Sequence, residues 1–185
     1  MIFTHDLYFL CILQQETKQI RVEMTGLSIR RTPDGFGICS DSLPFDGATC
    51  SKRVGMLRTM QVDVARVTKN GDEDIAAKMT RDVYAMLRQT WERGVEEVLF
   101  AGTVMRFSEG VSTQMLKEVE VQDDDYRAVT AGMAQCSKFS GHDGAAQANV
   151  PTRLPDELLA DIDAFETWRK GVLKRKDDVR ARRKH

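Results

Sequence analysis

The chain contains three histidines, and they are the first candidates for chemistry because imidazole titrates close to neutral pH. His5 follows an apolar run directly and precedes a helical pattern, and side chains at strand ends often meet ligands. An imidazole there can hydrogen-bond to a phosphate or to water. The alternative is a helix-start residue packed under a loop. His142 lies beside Asp143 in a glycine-flanked loop, where it can also simply cap the turn, and His185 is the terminal residue.

Two pairs of opposite charges have helical spacing. Arg88 and Glu92 are four residues apart, so they share one face of a helix, and Arg93 and Glu97 repeat the pattern. Spacing alone does not choose between these pairs. It is also typical of ordinary surface ion pairs, which stabilise a fold by about 0.3–0.5 kcal/mol.

The C-terminal tail is strongly basic. From Arg169 to Lys184 there are nine Lys or Arg and two acids, a local balance of +7. One interpretation is contact with nucleic-acid phosphates. The other is a solvated helix end, where cations suit the C-terminal dipole and no aromatic follows Trp168 to stack on a base. The nucleic-acid candidates are Arg175, Lys176, Arg180, Arg182 and Arg183.

These side chains must be positioned by a mostly helical chain, and the predicted fold class is α+β, predominantly α-helical. We expect three regions: residues 1–47 with short strands, residues 48–150 with helices and a small hairpin, and residues 151–185 with a final helix and its basic tail. The predicted helices are 6–15, 49–68, 73–100, 123–139 and one beginning at Pro155. The predicted strands are 1–4, 20–24, 27–31 and 37–39, with a turn at 32–35 and a hairpin within 103–121.

Composition excludes several classes of protein. The 185 residues are 42% hydrophobic and 30% charged, which argues against wholesale disorder, and a net charge of −1 excludes a uniformly basic nucleic-acid binder. No apolar run approaches the roughly 20 residues of a membrane span, and no signal peptide is recognisable. The four cysteines are scattered and form no zinc motif. We therefore expect a cytoplasmic protein with no membrane partner and no bound metal of its own.

Familiar nucleotide and hydrolase motifs are missing from the sequence. No segment fits the P-loop pattern, in which backbone amides wrap the phosphates and a lysine neutralises them. A Rossmann fingerprint and a Gly-x-Ser-x-Gly elbow are absent too.

The segment 2–7 reads IFTHDL and resembles the switch-histidine segment of ABC-type and SMC-like ATPases, where an apolar strand ends in Thr-His-Asp before a helix. Three further segments resemble the C-terminal part of bacterial AAA-family proteins of the anticodon-nuclease type. They are 84–93 (YAMLRQTWER), 96–100 (EEVLF) and 136–143 (CSKFSGHD). The resemblance covers nearly the whole chain, but only as the tail of a longer protein.

The resemblance implies that His5 reaches the γ-phosphate of ATP. In the family the Walker A, signature and Walker B motifs lie upstream of this histidine, and this chain lacks them. ATP and Mg²⁺ would therefore bind only if a missing N-terminal part or a partner chain supplies those motifs. We expect a fragment, a truncated reading frame or half of a split ATPase, in a phage-defence setting, that does not hydrolyse ATP alone.

Two alternatives stay open. The anticodon-nuclease resemblance implies a metal-independent ribonuclease site in which Arg88, Glu92 and His142 act on tRNA or another nucleic acid. Such cleavage needs a base for the 2′-OH proton, an acid for the leaving oxygen and a cation for the phosphate. The other alternative is a non-enzymatic helical interaction module, which could form a homodimer through an uncovered apolar edge.

Overall fold

The chain folds into two compact units in a computed structural model that describes residues 1–32, 35–41, 43–106, 108, 110–140 and 152–183. One unit comprises Met1–Thr49 with Arg106–Glu109, and the other comprises Cys50–Met105 with Gly110–His185. The predicted fold class, a predominantly α-helical α+β chain, is confirmed.

In the first unit, α1 spans Leu7–Gln19 and begins directly after Asp6. The Oδ1 atom of Asp6 accepts the backbone N–H of Tyr8 at 2.8 Å and that of Phe9 at 3.3 Å. These N–H groups have no carbonyl partner within the helix, so the carboxylate satisfies them and suits the helix dipole. The carboxylate of Asp6 therefore caps α1, and the helix runs further than its predicted end at residue 15.

The first unit also contains an antiparallel hairpin of β1 (Ser28–Thr32) and β2 (Gly35–Ser40). Ser28 pairs with Ser40 and Ile29 with Cys39, and the register shifts between residues 30 and 32. These strands confirm the predicted strands at 27–31 and 37–39. Residues 33 and 34 of the predicted turn lie outside the described residues.

Two other strand predictions are wrong. Residues 1–4 and 20–24 belong to no strand, and Ile2 and Phe3 are exposed. A strand exists only where a neighbour completes its hydrogen-bond ladder. Among the described residues, neither segment has a strand beside it.

The second unit begins with a helical hairpin of α2 (Cys50–Lys69) and α3 (Glu73–Gly94), as predicted. Gly71 turns the chain between them in a left-handed conformation with φ of +85°. A wider, π-helical turn follows at Val95–Leu99, so the helical stretch predicted to reach Phe100 changes its winding after Gly94. The Phe100 N–H donates to the Val95 carbonyl at 2.8 Å, which is the hydrogen bond of that wider turn.

Two further helices complete this unit. α4 spans Asp123–Ser140, and α5 spans Pro155–Arg182 with Pro155 in its first turn, as predicted. α4 packs on α3, and α5 packs on α2, α3 and α4. Along α5, buried apolar residues recur at steps of three, four or seven and so share one face. They are Leu158, Ile162, Phe165, Val172 and Val179.

The hairpin predicted within 103–121 is wrong. A short 3-10 helix, Thr113–Glu118, occupies this region, and no strand lies among its described residues. We call residues 110–122 the strap. Its side chains and carbonyls bind the end of α5 rather than a neighbouring strand. Tertiary partners therefore replace the expected β-ladder.

Candidate functional site

The Arg88–Glu92 pair forms as its spacing predicts. Arg88 Nε lies 3.7 Å from Glu92 Oε1, and both side chains are about one-third exposed. The Arg88 Nε atom is itself buried and has no hydrogen-bond partner among the described residues. The competing pair also forms, with Arg93 Nε 3.1 Å from Glu97 Oε2. Glu97 in addition accepts the N–H of Cys50 at 3.3 Å, so it caps α2.

His142, the third residue of the expected ribonuclease site, lies outside the described residues. The packing of α3 on α4 nevertheless fixes where Arg88 and Glu92 lie relative to the end of α4. Phe139, near the end of α4, stacks on Tyr84 with ring centroids 5.3 Å apart. Glu92 lies eight residues beyond Tyr84, roughly 12 Å further along the α3 axis. The structure thus brings Arg88 and Glu92 together and leaves their relation to His142 a prediction.

Sequence reasoning missed a polar cluster between α3, α4 and α5. The carboxylate of Asp161 accepts hydrogen bonds from the Tyr84 hydroxyl at 2.5 Å, from Gln135 at 3.3 Å and from Arg153 at 3.3 Å. The Arg153 guanidinium also lies 5.0 Å from the ring centroid of Phe139. Asp161 therefore ties three chain segments together.

This cluster suits a structural role better than proton transfer. Burial, followed by the hydrogen bond to Asp161 and its charge, raises the pKa of the Tyr84 phenol above its ordinary value. The hydroxyl therefore stays protonated and keeps donating to Asp161. A buried tyrosine inside an apolar stripe needs such a partner. That need is the one signal in the sequence that pointed to this cluster.

All five basic residues predicted to bind nucleic acid have partners within the chain. Arg180 pairs with Glu118 at 2.7 Å, and Lys176 approaches the same carboxylate at 3.6 Å. Arg182 pairs with Glu120. The strap therefore covers this part of α5 with acidic side chains.

The remaining two cations extend the same contact. Arg175 pairs with Asp125, the buried acid that also accepts the Trp168 indole N–H at 3.1 Å. Arg183 donates to the carbonyls of Leu116 at 2.7 Å and Val119 at 2.8 Å. We call these five cations the basic face of α5, although Arg183 lies one residue beyond the helix. The positive charge of this face is thus partly balanced inside the molecule.

His5 is exposed and stands at the start of α1. The adjacent Asp6 N–H donates to the Thr4 hydroxyl at 2.9 Å, so the turn that carries the imidazole is fixed by its neighbours. The described residues form no group of three or more His, Cys, Asp or Glu arranged to hold a metal ion.

No protein-family model, curated protein or solved structure matches this chain. Among the described residues, no helix combines the length and apolar character needed to cross a bilayer.

Proposed function

We propose that the first unit docks onto an ABC/SMC-like ATPase carried by other polypeptide, and that His5 contacts the γ-phosphate of ATP in that assembly. The observation that carries this proposal is the large amount of apolar side chain that this unit exposes. Exposed apolar patches of this kind mark interaction surfaces.

The exposed large apolar side chains of the first unit lie in the N-terminal segment, in α1, in the segment after α1 and in the hairpin. Phe3 is 81% exposed and Phe36 is 79% exposed. Because Ile29 pairs with Cys39, and Ile38 with residue 30, the exposed Ile29 and Ile38 lie on opposite faces of the hairpin. A two-stranded hairpin with apolar residues on both faces is only marginally stable on its own. The full set is Met1, Ile2, Phe3, Tyr8, Phe9, Ile20, Val22, Leu27, Ile29, Phe36 and Ile38.

The segment before His5 is suited to pairing with the sheet of another polypeptide. Residues 1–4 are exposed and have no strand partner among the described residues. An extended segment of this kind can add to an open sheet edge, where backbone hydrogen bonds supply affinity. His5 would then follow the added strand, as the histidine does in the ATPases that this segment resembles.

This chain does not fit ATP–Mg by itself. Its sequence has no P-loop, and its described residues form no group of three or more His, Cys, Asp or Glu that could hold a metal ion. Its contribution is therefore limited to the imidazole of His5 and the docking surface around it. The partner must supply the phosphate cradle and the metal ligands.

The test is to reconstitute a complex of this chain with the polypeptide that carries the Walker motifs. That polypeptide should be encoded in frame upstream or in the adjacent gene. The complex should hydrolyse ATP, and His5→Ala should lower the rate by about a hundredfold, the effect of losing one phosphate-directed donor. His185→Ala is the matched control and should leave the rate unchanged. If no such reading frame exists, or if the His5→Ala complex hydrolyses ATP as fast as wild type, the proposal is wrong.

A further inference from the structure

We propose that the strap is an intramolecular competitor for the basic face of α5, and that this face binds the phosphates of single-stranded RNA when the strap moves away. This proposal is independent of the ATPase assignment, because it concerns only residues of the second unit. It goes beyond the basic tail read from the sequence, because the inhibiting segment is visible only in the fold.

The two acids of the strap pair with cations of the basic face. Glu118 meets Lys176 and Arg180, and Glu120 meets Arg182. Glu118 and Glu120 are two residues apart, at the end of the 3-10 helix and just beyond it. A nucleic-acid backbone likewise presents successive negative charges to a row of cations. The strap thus occupies the positions that phosphates would take.

The strap is held by charge rather than by an apolar anchor. Between residues 111 and 120, the buried residue is Glu118, whereas Val111 and Leu116 are 60% and 51% exposed. The arginines of the Arg180–Glu118 and Arg182–Glu120 pairs are 46% and 65% exposed, and exposed ion pairs are weakened by salt. Glu118 itself is buried, so the strap leaves only when another anion takes the place of its carboxylate beside Lys176 and Arg180. A competing polyanion supplies that replacement charge.

The basic face keeps surplus positive charge even with the strap in place. Arg175, Lys176, Arg180, Arg182 and Arg183 face three carboxylates, those of Glu118, Glu120 and Asp125, which leaves two cations in excess. This excess favours the first encounter with a polyanion. Full contact requires the strap carboxylates to leave.

The absence of apolar side chains on this face favours nucleic acid over a membrane. A helix that lies on a bilayer presents large apolar residues between its cations. Among the described residues after Leu173, α5 exposes no large apolar side chain. Binding of the phosphates of RNA requires only the cations.

The experiment measures fluorescence anisotropy of a labelled uridine oligomer of about 20 nucleotides with the full chain, at roughly 50 and 200 mM salt. The double variant Glu118→Gln/Glu120→Gln should bind the oligomer roughly tenfold tighter than wild type does. This gain is expected if the strap is detached from the basic face in about a tenth of the wild-type molecules. Adding Arg180→Ala and Arg182→Ala should remove the gain.

The matched control is Asp177→Asn/Asp178→Asn, which removes two exposed acids from α5 without touching the strap. If this control gains as much affinity as the strap variant, only net charge matters and the proposal is wrong. It is also wrong if the gain survives loss of Arg180 and Arg182, or if the strap variant binds vesicles with about 30% phosphatidylserine and not RNA.

A second measurement uses the wild-type protein, in case the strap variant fails to fold. Hydrogen exchange of the backbone amides of residues 113–122 should become faster when the uridine oligomer is added, because the strap leaves α5. Exchange of the amides of α3 should not change. Unchanged or slower exchange in the strap at saturating oligomer would overturn the proposal.

Discussion

Gly94 and Gly132 mark the closest approaches between helices of the second unit. A Cβ atom at Gly132 would lie 2.3 Å from the Trp91 ring, and one at Gly94 would lie 2.8 Å from the Phe165 ring. Trp91 packs edge-to-face on Phe165 with ring centroids 4.9 Å apart, and Trp168 completes the aromatic group. The two glycines are therefore needed for space, because the rings fill the volume that a side chain would take.

Gly132→Ala should destabilise the second unit. The methyl group has nowhere to go unless Trp91 moves, and overpacking of this kind typically costs about 1–3 kcal/mol. Gly55→Ala is the matched control, because nothing lies within 4 Å of its Cβ position on α2, and it should stabilise the helix by up to about 1 kcal/mol. Urea unfolding followed by circular dichroism compares them. Equal free energies of unfolding for the two variants would contradict the packing argument.

Two buried thiols make stability sensitive to alkali. Burial raises the pKa of Cys136 to about 12, with the charge of Asp161 adding to the effect, and burial followed by the charge of Glu97 raises that of Cys50 to about 12. In the unfolded chain both titrate near 9.0. Because the folded pKa values are the higher ones, this stability is complete below pH 9 and is lost as pH rises towards 12.

The free energy of unfolding should therefore fall above pH 9 by about 1.4 kcal/mol per pH unit for each thiol. Cys136→Ala should halve this slope between pH 9 and 10, before the Tyr84 phenol contributes. Denaturant titrations at a series of pH values measure it. A slope unchanged by Cys136→Ala would show that the thiol does not titrate as its burial requires.

The ribonuclease alternative predicts cleavage of tRNA by the purified chain without added metal. If Arg88 and His142 act on the phosphate and the 2′-OH, Arg88→Gln and His142→Ala should each slow cleavage by about a hundredfold. His185→Ala is the control and should cleave at the wild-type rate. Denaturing gels of the products follow the reaction. Cleavage that survives both substitutions, or its absence from the wild type, would reject this site.

The long helix α5 was predictable because apolar residues recur along one of its faces, which is buried. The spacing of Leu158, Ile162 and Phe165 identifies the core side of α5 without knowledge of its neighbours. Strands differ, since a strand forms only if another chain segment lies beside it. The run Met1–Thr4 has the right composition and no partner, whereas the hairpin at residues 28–40 carries its partner within the same short segment.

The candidate site was predictable only where it depends on local spacing. The Arg88–Glu92 pair needs nothing but one helical turn. Tyr84 and Asp161 are 77 residues apart, and the acids of the strap meet α5 across about 60 residues. Such contacts depend on how helices pack, which no single segment encodes. The charge run at the tail was visible, but its neutralisation by Glu118 and Glu120 was not.

Phe36→Asp should weaken the docking of the first unit's hairpin onto the proposed ATPase partner. Phe36 is 79% exposed in the isolated chain, so the change should alter the free energy of unfolding by no more than about 0.5 kcal/mol. A buried aromatic at an interface commonly contributes about 2 kcal/mol or more, which predicts at least a thirtyfold weaker complex. Tyr126→Asp on α4, 70% exposed, is the control. Equal affinities of the two variants, measured by calorimetry, would exclude the hairpin from the interface.

The two units differ in how they bury apolar side chains. The second unit has a core of fully buried residues on several helices, among them Leu57, Tyr84, Leu87 and Phe165. The first unit contains α1, a two-stranded hairpin and a short 3-10 helix at Phe45–Gly47, and most of its large apolar residues are exposed. Stability should therefore be uneven along the chain, because cooperative protection follows the density of buried contacts.

Hydrogen exchange of the isolated chain should show this difference directly. Amides of α3 should exchange only through global unfolding, and their rates should fall as stability rises. Amides of α1 and of the hairpin should exchange at least about a hundredfold faster, which corresponds to a local opening free energy lower by about 2.7 kcal/mol. If the first unit is completed by a partner, its amides should slow selectively in the complex, while those of α3 stay unchanged. Equal protection of α1 and α3 in the isolated chain would mean that the first unit is stable without a covering partner, and the exposed apolar residues would then no longer argue for docking.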